Sequence, residues 1–310
     1  MTELPRLHVW LVHYEVTRAG VLPPLPTTAL HGALARTLYD DVCVAPARLH
    51  CDGCPAQLSC AYPTLFEPTA SNGARARPFG VTTEPPRPLA IAPDKPFLPT
   101  SERPFAVKRG DILTFRIVAT GCVWQYWKAL RKALQRVGHR GLGPHGSRAT
   151  LELAEVVELT KLLPTEPVQE VTLSFVTPLR IKHQGRIASQ LDPSMLFEAI
   201  VRRARLLSLF EAQPWEPPAE WQQLAGSLHS VADLRLVRVG RYSGRQGRWM
   251  LWPGLVGTMR LSGDAVNELL PLLHFGSLAQ IGKASTFGFG RYDLGQLRYS
   301  RTGADAGGVA

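Results

Sequence analysis

The sequence predicts an α+β protein built from two tandem ferredoxin-like units, each with the RRM-like order βαββαβ. Three observations carry that expectation. The 310 residues suffice for two domains with sizeable cores. Strands and helices recur in the same order in both halves, and a stretch over 160–168, marked by Pro164 and Pro167, separates them. The expected units are therefore 1–160 and 169–300, with a flexible tail over 301–310 and a Cys-rich insertion over about 41–105 in the first.

The first half opens on LHVWLVHYEVT at 7–17, whose alternation and β-branched content read as a strand. Pro23, Pro24 and Pro26 break it. Thr27 or Thr28 can then cap a helix on which Leu30, Leu34 and Leu38 recur at every fourth residue through about Tyr39. Residues 41–105 lack clear periodicity and read as an elaborated loop. ILTFRIVATG from 112 is a strand, and Trp124, Trp127, Leu130, Leu134 and Val137 form the apolar stripe of a second helix. The turn GHRGLGPHGSR at 138–148 leads to a strand over 150–159. The second half follows the same plan: strand 170–177, helix 193–211, β-rich chain 229–262, helix 264–273, a glycine loop and a last strand.

With 45% hydrophobic and 19% charged residues the chain is a folded protein, and its net charge of +10 favours a polyanionic partner. The charge is uneven. Between Leu234 and Gly263 stand Arg235, Arg238, Arg241, Arg245, Arg248 and Arg260 with no acidic residue, and Trp249 and Trp252 lie among them. Arginine forks grip phosphates and tryptophans stack on unpaired bases, so this mixture suits RNA better than membrane; a basic hairpin with half-buried tryptophans gives the same pattern. No stretch reaches the ~20 apolar residues of a membrane span, and the amino terminus lacks a basic leader followed by an apolar run. A cytoplasmic location is expected.

The segment Gly276–Tyr292 holds four glycines, at 276, 282, 288 and 290, with Lys283 and Arg291 among them. Glycines let backbone approach a ligand and turn N–H groups toward an anion. A GxxxxGK[ST] nucleotide loop is a poor fit, because five residues separate Gly276 from Gly282 and Ala284 replaces the hydroxyl residue. The residues from Ser285 to Leu294 also read as strand, where that motif opens a helix. An unliganded glycine-rich hairpin is the plain alternative.

Four of the five cysteines crowd into Cys43-x7-Cys51-x2-Cys54-x5-Cys60. In a reducing compartment that spacing favours a closed structural zinc site, with His50 able to replace one ligand, over disulfides. An iron–sulfur cluster or free thiols are the alternatives, and none of the three implies a catalytic cofactor.

Several segments together resemble the CRISPR-associated precursor-RNA processing endoribonucleases, the sixth Cas protein family of the RAMP superfamily. They are LHGAL at 30–34, CDGCPAQLSCAYPTLFEP at 51–68, GLGPHGSRATLEL at 141–153, LSFVTPLRIKHQGR at 173–186, the pair Arg202 and Arg203, RYSGRQ at 241–246, GLVGTMRL at 254–261 and the glycine loop. The resemblance implies metal-independent cleavage of CRISPR repeat RNA by attack of a ribose 2'-hydroxyl on the adjacent phosphate. The products carry a 2',3'-cyclic phosphate and a 5'-hydroxyl. It also implies a protein that stays on its crRNA product and joins other Cas subunits in an effector complex. The rival expectation is a catalytically inactive RAMP subunit that binds RNA.

Such a reaction needs a base, an acid and cations beside the phosphorane-like transition state. His31 is the first candidate, because the family often places its catalytic histidine early in the first helix. Tyr39 lies two turns further along the same side, and Arg36 is near enough in sequence to reach the phosphate. An arginine-only variant draws on Arg18, Arg36 and Arg241. His139, Arg140, His145 and Arg148 flank the first glycine-rich turn as RNA contacts. The basic segment Arg180, Lys182 and Arg186 suits a phosphate-binding turn, and Arg245, Arg248, Gly282, Lys283, Ser285, Thr286 and Arg291 complete the expected grip.

Overall fold

The computed structural model describes residues 3–44, 51, 54–57, 59–67, 87–94, 104–159, 167–211, 214–243 and 248–299. The first half runs β1 (Leu7–Arg18), β2 (Gly20–Leu22), α1 (Pro26–Val42), α2 (Ala61–Phe66), β3 (Leu89–Pro93), β4 (Phe105–Val107), β5 (Ile112–Thr120), α3 (Trp127–Arg140) and β6 (Thr150–Glu158). The second runs β7 (Val168–Leu179), β8 (Lys182–His183), β9 (Arg186–Ile187), α4 (Pro193–Ser208), α5 (Trp221–Ser227), β10 (His229–Ser243), β11 (Arg248–Ser262), α6 (Val266–Ala279) and β12 (Tyr292–Tyr299).

Two four-stranded antiparallel sheets result, ordered β3-β5-β1-β6 and β10-β11-β7-β12. In both, the first strand of the unit is central, flanked by its third and fourth, as a ferredoxin-like fold requires. The fold is tandem ferredoxin-like. Each unit keeps its own core. In the first, alternate β1 residues Trp10, Val12, Tyr14 and Val16 meet Leu30, Leu34 and Leu38 of α1 and Leu130, Leu134 and Val137 of α3. In the second, Val171, Leu173 and Phe175 of β7 meet Phe197, Ile200 and Ala204 of α4 and Leu269 and Leu273 of α6.

Local chemistry fixes the helix starts. Pro26 stands at the first turn of α1, where its missing N–H costs nothing. Pro193 does the same for α4, and the Asp192 carboxylate accepts from the Met195 amide at 2.8 Å as an N-cap. Each unit also carries one buried tyrosine whose hydroxyl donates to a carbonyl of its second helix: Tyr14 to Leu134 at 2.8 Å and Tyr292 to Leu273 at 2.6 Å. A helix glycine makes room beside each ring, Gly138 at Tyr14 and Gly276 at Tyr292.

Three expectations need correction. β3 lies inside the stretch read as loop: LAIAP is a fully paired edge strand of the first sheet, hidden by its shortness and its flanking prolines. Trp124 lies outside α3, in a short 3-10 segment over Gly121–Tyr126, and is 51% exposed, so it does not belong to the apolar stripe. α6 continues to Ala279, which moves Gly276 out of the loop and into the helix, where a Cβ would strike the Tyr292 hydroxyl. The expectations for most of the Cys-rich stretch, for 160–166 and for the tail lie outside the described residues.

Candidate nucleic-acid interface

The two units meet where the loop between α6 and β12 crosses to α1. Gln280 and Ala284 take left-handed backbone angles of φ 57° and 66°, and Gly282, Gly288 and Gly290 are also positive. A 3-10 turn occupies Ser285–Phe287, and β12 starts only at Tyr292, so the strand read from Ser285 is not formed before that point. The reason is backbone approach. A Cβ on Gly290 would overlap the Ile281 carbonyl, one on Gly282 would come within 2.6 Å of the Arg180 carbonyl, and one on Gly288 would meet Thr27 and Ile91 of the other unit.

Most loop amides are spent internally. The N–H groups of Ile281, Lys283 and Gly290 donate to the carbonyls of Gly290, Arg180 and Pro178, at 3.0, 2.7 and 3.0 Å. The glycines therefore serve packing first; the expected cradle of phosphate-facing amides is reduced to residues 282 and 284–286, whose N–H groups close no backbone hydrogen bond among the described residues.

Across the junction, the Thr27 hydroxyl donates to the Phe287 carbonyl at 2.7 Å. Leu25, Val239 and Phe289 form a small apolar cluster with Trp252 and Phe287 against it. Val239 and Trp252 belong to the part of the β10–β11 hairpin that extends past β7, whose pairing with β11 spans only Leu255 to Ser262. His31 sits one turn into α1 facing this junction, 7% exposed, with its ring 4.7 Å from Phe287 and 5.2 Å from Phe66.

The structure does not bring Arg36 and Tyr39 to His31. Eight residues of helix put Tyr39 about 12 Å away, packed edge-on against Tyr62. A side-chain hydrogen bond with Cys43, then partial burial, raises its phenol above the ordinary range. Arg36 is paired with Asp40 at 3.1 Å and lies 5.9 Å over the Tyr39 ring. Being on one side of a helix did not mean being in one site.

Arg291 is not an exposed grip. Its side chain is 3% exposed and donates to the carbonyls of Pro93 and Asp94 and bidentately to Asp293 at 3.0 and 2.9 Å. Arg116 of β5 joins Asp94 and Asp293 at 3.7 and 3.8 Å, its own charge disfavoured by burial and by Arg291. This cluster ties the two sheets together.

The remaining expected contacts divide between two regions. Arg18, His139, Arg140, His145 and Arg148 are exposed around the end of β1 and the turn after α3, with Arg140 paired to Asp40 at 2.9 Å. Arg180, Lys182, Gly282, Lys283, Ser285 and Thr286 line a cavity beside the loop, and Arg186 is exposed on β9 just outside it. The side chains of Arg241 and Arg248, and all of Arg245, lie outside the described residues. Sequence reasoning gave no site role to Thr27, Phe66, Phe287, Arg87 or Arg116, because contacts between distant segments have no periodic signature.

Cys43, Cys51, Cys54 and Cys60 are free and half-buried. Burial first, then Glu67 and the other three thiols, pushes Cys51 up to about 11, so the four lie within electrostatic reach of one another. Among the described residues no three His, Cys, Asp or Glu side chains are placed to share one metal ion. No helix among the described residues is long and apolar enough to cross a membrane.

Two family models together span nearly all of this fold. An N-terminal-domain model, AF_1859_N, matches residues 4–174, and the model of the CRISPR-associated endoribonuclease Cas6 matches 173–292. No curated protein sequence matches. Among solved structures, a Cas6 product complex superposes with a TM-score of 0.58 at 17% identity, over 93% of this chain and 100% of that one. The Thermus thermophilus Cas6 gives 0.54 at 16%, over 94% and 100%. A RAMP protein binding different RNA substrates gives 0.53 at 11%, over 93% and 100%. At these identities the superpositions speak for fold, and the family model for lineage: residues 173–292 carry a domain of the CRISPR-associated endoribonuclease Cas6 family.

Proposed function

We propose that the protein cleaves CRISPR repeat RNA without a metal, by attack of a ribose 2'-hydroxyl on the adjacent phosphate at the junction of α1 with the loop at 280–291. The observation that carries this is the meeting of His31 with Phe287 across the two units, 4.7 Å apart, beside a loop bordered by cations. An imidazole titrates near neutrality and can take the 2'-hydroxyl proton or return one to the 5'-oxygen. Since His31 is buried between two phenylalanines, RNA docking on the loop has to move Phe287 before the ring reaches a phosphate. Arg36 and Tyr39 then support α1 and the Cys-rich segment and have no part in the chemistry.

The same burial favours a second reading, a RAMP subunit that binds repeat RNA without cutting it. Incubating the purified protein with repeat RNA in EDTA separates the two: one cut ending in a 2',3'-cyclic phosphate supports the nuclease, and tight binding with no cut supports the subunit. In the nuclease reading His31→Ala cuts at least a hundredfold more slowly; full activity in that variant moves the chemistry to arginines. Retention of the crRNA product, association with other Cas proteins and a cytoplasmic location belong to the same proposal; one of the superposed chains, 48% of whose length is covered, comes from a partial Cas6-RT-Cas1–Cas2 complex. A structural zinc at the four thiols is a separate proposal resting on their gathering, and metal analysis finding no zinc per chain would refute it.

A further inference from the structure

The cavity of about 460 Å³ beside the loop is built from α4, the β8–β9 turn and residues 282–287. Its most unusual wall is Arg203. That side chain is 8% exposed, and its Nε donates to the carbonyl of Ala279 in the last turn of α6, 3.1 Å away. A helix C-terminus favours a cation, but one carbonyl engages one of five guanidinium donors. Among the described residues no carboxylate stands within ion-pair distance of Arg203. Burial alone lowers it to about 10.

Arg180 repeats the situation on the opposite side. Its Nε donates to the Pro253 carbonyl at 2.9 Å, and its guanidinium lies 4.8 Å over Trp252. It too is without a carboxylate among the described residues, and burial lowers it as well. Around these two, Arg87, Lys182, Arg202 and Lys283 add charge, against one carboxylate, Glu198, among the described lining residues. Buried cations are ordinarily paired, because desolvation without a counter-charge is costly. Two guanidinium groups that border one cavity with no carboxylate partner among the described residues, and the amides at 282 and 284–286, which close no backbone hydrogen bond there, describe a site complementary to an anion.

We propose that this cavity is a subsite for one backbone phosphate of the RNA strand, seated on Arg203 with Arg180 and Lys283 beside it and distinct from the scissile phosphate at His31. A volume of this size takes one nucleotide unit. The stacked pair Arg180 and Trp252 offers a flat flank for an unpaired base next to that phosphate. The proposal rests on the RNA-cleavage reading above.

Equilibrium binding of a repeat RNA made uncleavable by a 2'-deoxy substitution at the cut, measured across a salt series, tests it. Arg203→Gln is expected to bind at least tenfold more weakly, with a salt slope shallower by about 0.7–0.9. Its melting temperature without RNA should be unchanged or higher, because an uncompensated buried charge is gone. Equal affinity and equal slope in Arg203→Gln overturn the subsite. Should that variant not fold, wild-type protein is tested on RNAs carrying single neutral methylphosphonates. One position other than the scissile linkage should weaken binding about tenfold, and Lys283→Ala should reduce that penalty; no such position overturns the proposal. Wild-type protein that neither binds nor cuts repeat RNA refutes the nuclease reading instead, and cutting with an unaffected Arg203→Gln refutes the subsite alone.

Discussion

The two glycine-rich loops occupy the same place in the two ferredoxin-like units, between second helix and last strand, and do different work. In the first, Leu142 and Ala149 exchange backbone hydrogen bonds of 2.8 and 2.9 Å, and Gly143 packs on the Val21 carbonyl of its own unit. In the second, Ile281 bonds to Gly290 in similar fashion, but Gly288 packs on Thr27 and Ile91 of the other unit. One loop closes a domain; the other joins two. The charges follow that division, since His145 and Arg148 point to solvent while Arg291 is locked between the sheets and Lys283 faces the cavity. A duplicated fold can thus hold one plain copy of a loop and one that builds a site at the junction.

The sharpest way to break this comparison is to substitute matched glycines. Gly143→Ala and Gly290→Ala both place a Cβ at positive φ against a carbonyl, so each should lose about 2–4 kcal/mol in chemical denaturation. Only Gly290→Ala should also slow RNA cleavage beyond what its folded fraction explains; equal activity losses would erase the distinction.

Arg291→Ala tests the tie between sheets. It removes charged hydrogen bonds from a buried cluster and is expected to cost about 2–4 kcal/mol. The transition should split or broaden if the cluster couples the units; a single unshifted transition would show that it does not.

Tyr14→Phe and Tyr292→Phe delete equivalent hydroxyls and should each cost about 1 kcal/mol, measured as a shift in denaturation midpoint. A difference above ~2 kcal/mol between them would mean the two cores are not equivalent. The smallest effect belongs to Arg36→Ala: its side chain is 75% exposed, so the Asp40 pair is worth about 0.3–0.5 kcal/mol, and cleavage should continue at close to the wild-type rate. A large loss of activity would return Arg36 to the catalytic centre.

The ferredoxin-like plan was legible because its cores are periodic: alternate residues of β1 and the four-residue spacing of Leu30, Leu34 and Leu38 report burial directly. β3 was not legible, since four apolar residues between Pro88 and Pro93 carry too little pattern to distinguish a strand from a loop. Gly276 misled for a different reason. A glycine in a helix reads as a break until the Tyr292 ring that needs its space is known, and that ring arrives from 16 residues downstream.

The site was half legible. His31 at the start of α1 could be placed at the junction from its position in the helix and from the family resemblance. Helical facing suggested that Tyr39 joined it and closeness in sequence that Arg36 did, but neither fixes depth along the axis, and the structure puts Tyr39 with Cys43 and Tyr62 and Arg36 with Asp40 instead. Arg291 and Lys283 looked alike in sequence. Their separation depends on Asp293, Pro93 and Asp94, which a charge pattern cannot bring together.

The most direct test of the central claim is the chemistry of the RNA end made in EDTA. With His31 at the junction acting on repeat RNA, wild-type protein should give a single cut with a 2',3'-cyclic phosphate, confirmed by mass, and His31→Ala should bind the RNA normally while cutting at least a hundredfold more slowly. Uncut RNA with wild-type protein, or undiminished cutting by His31→Ala, would contradict it.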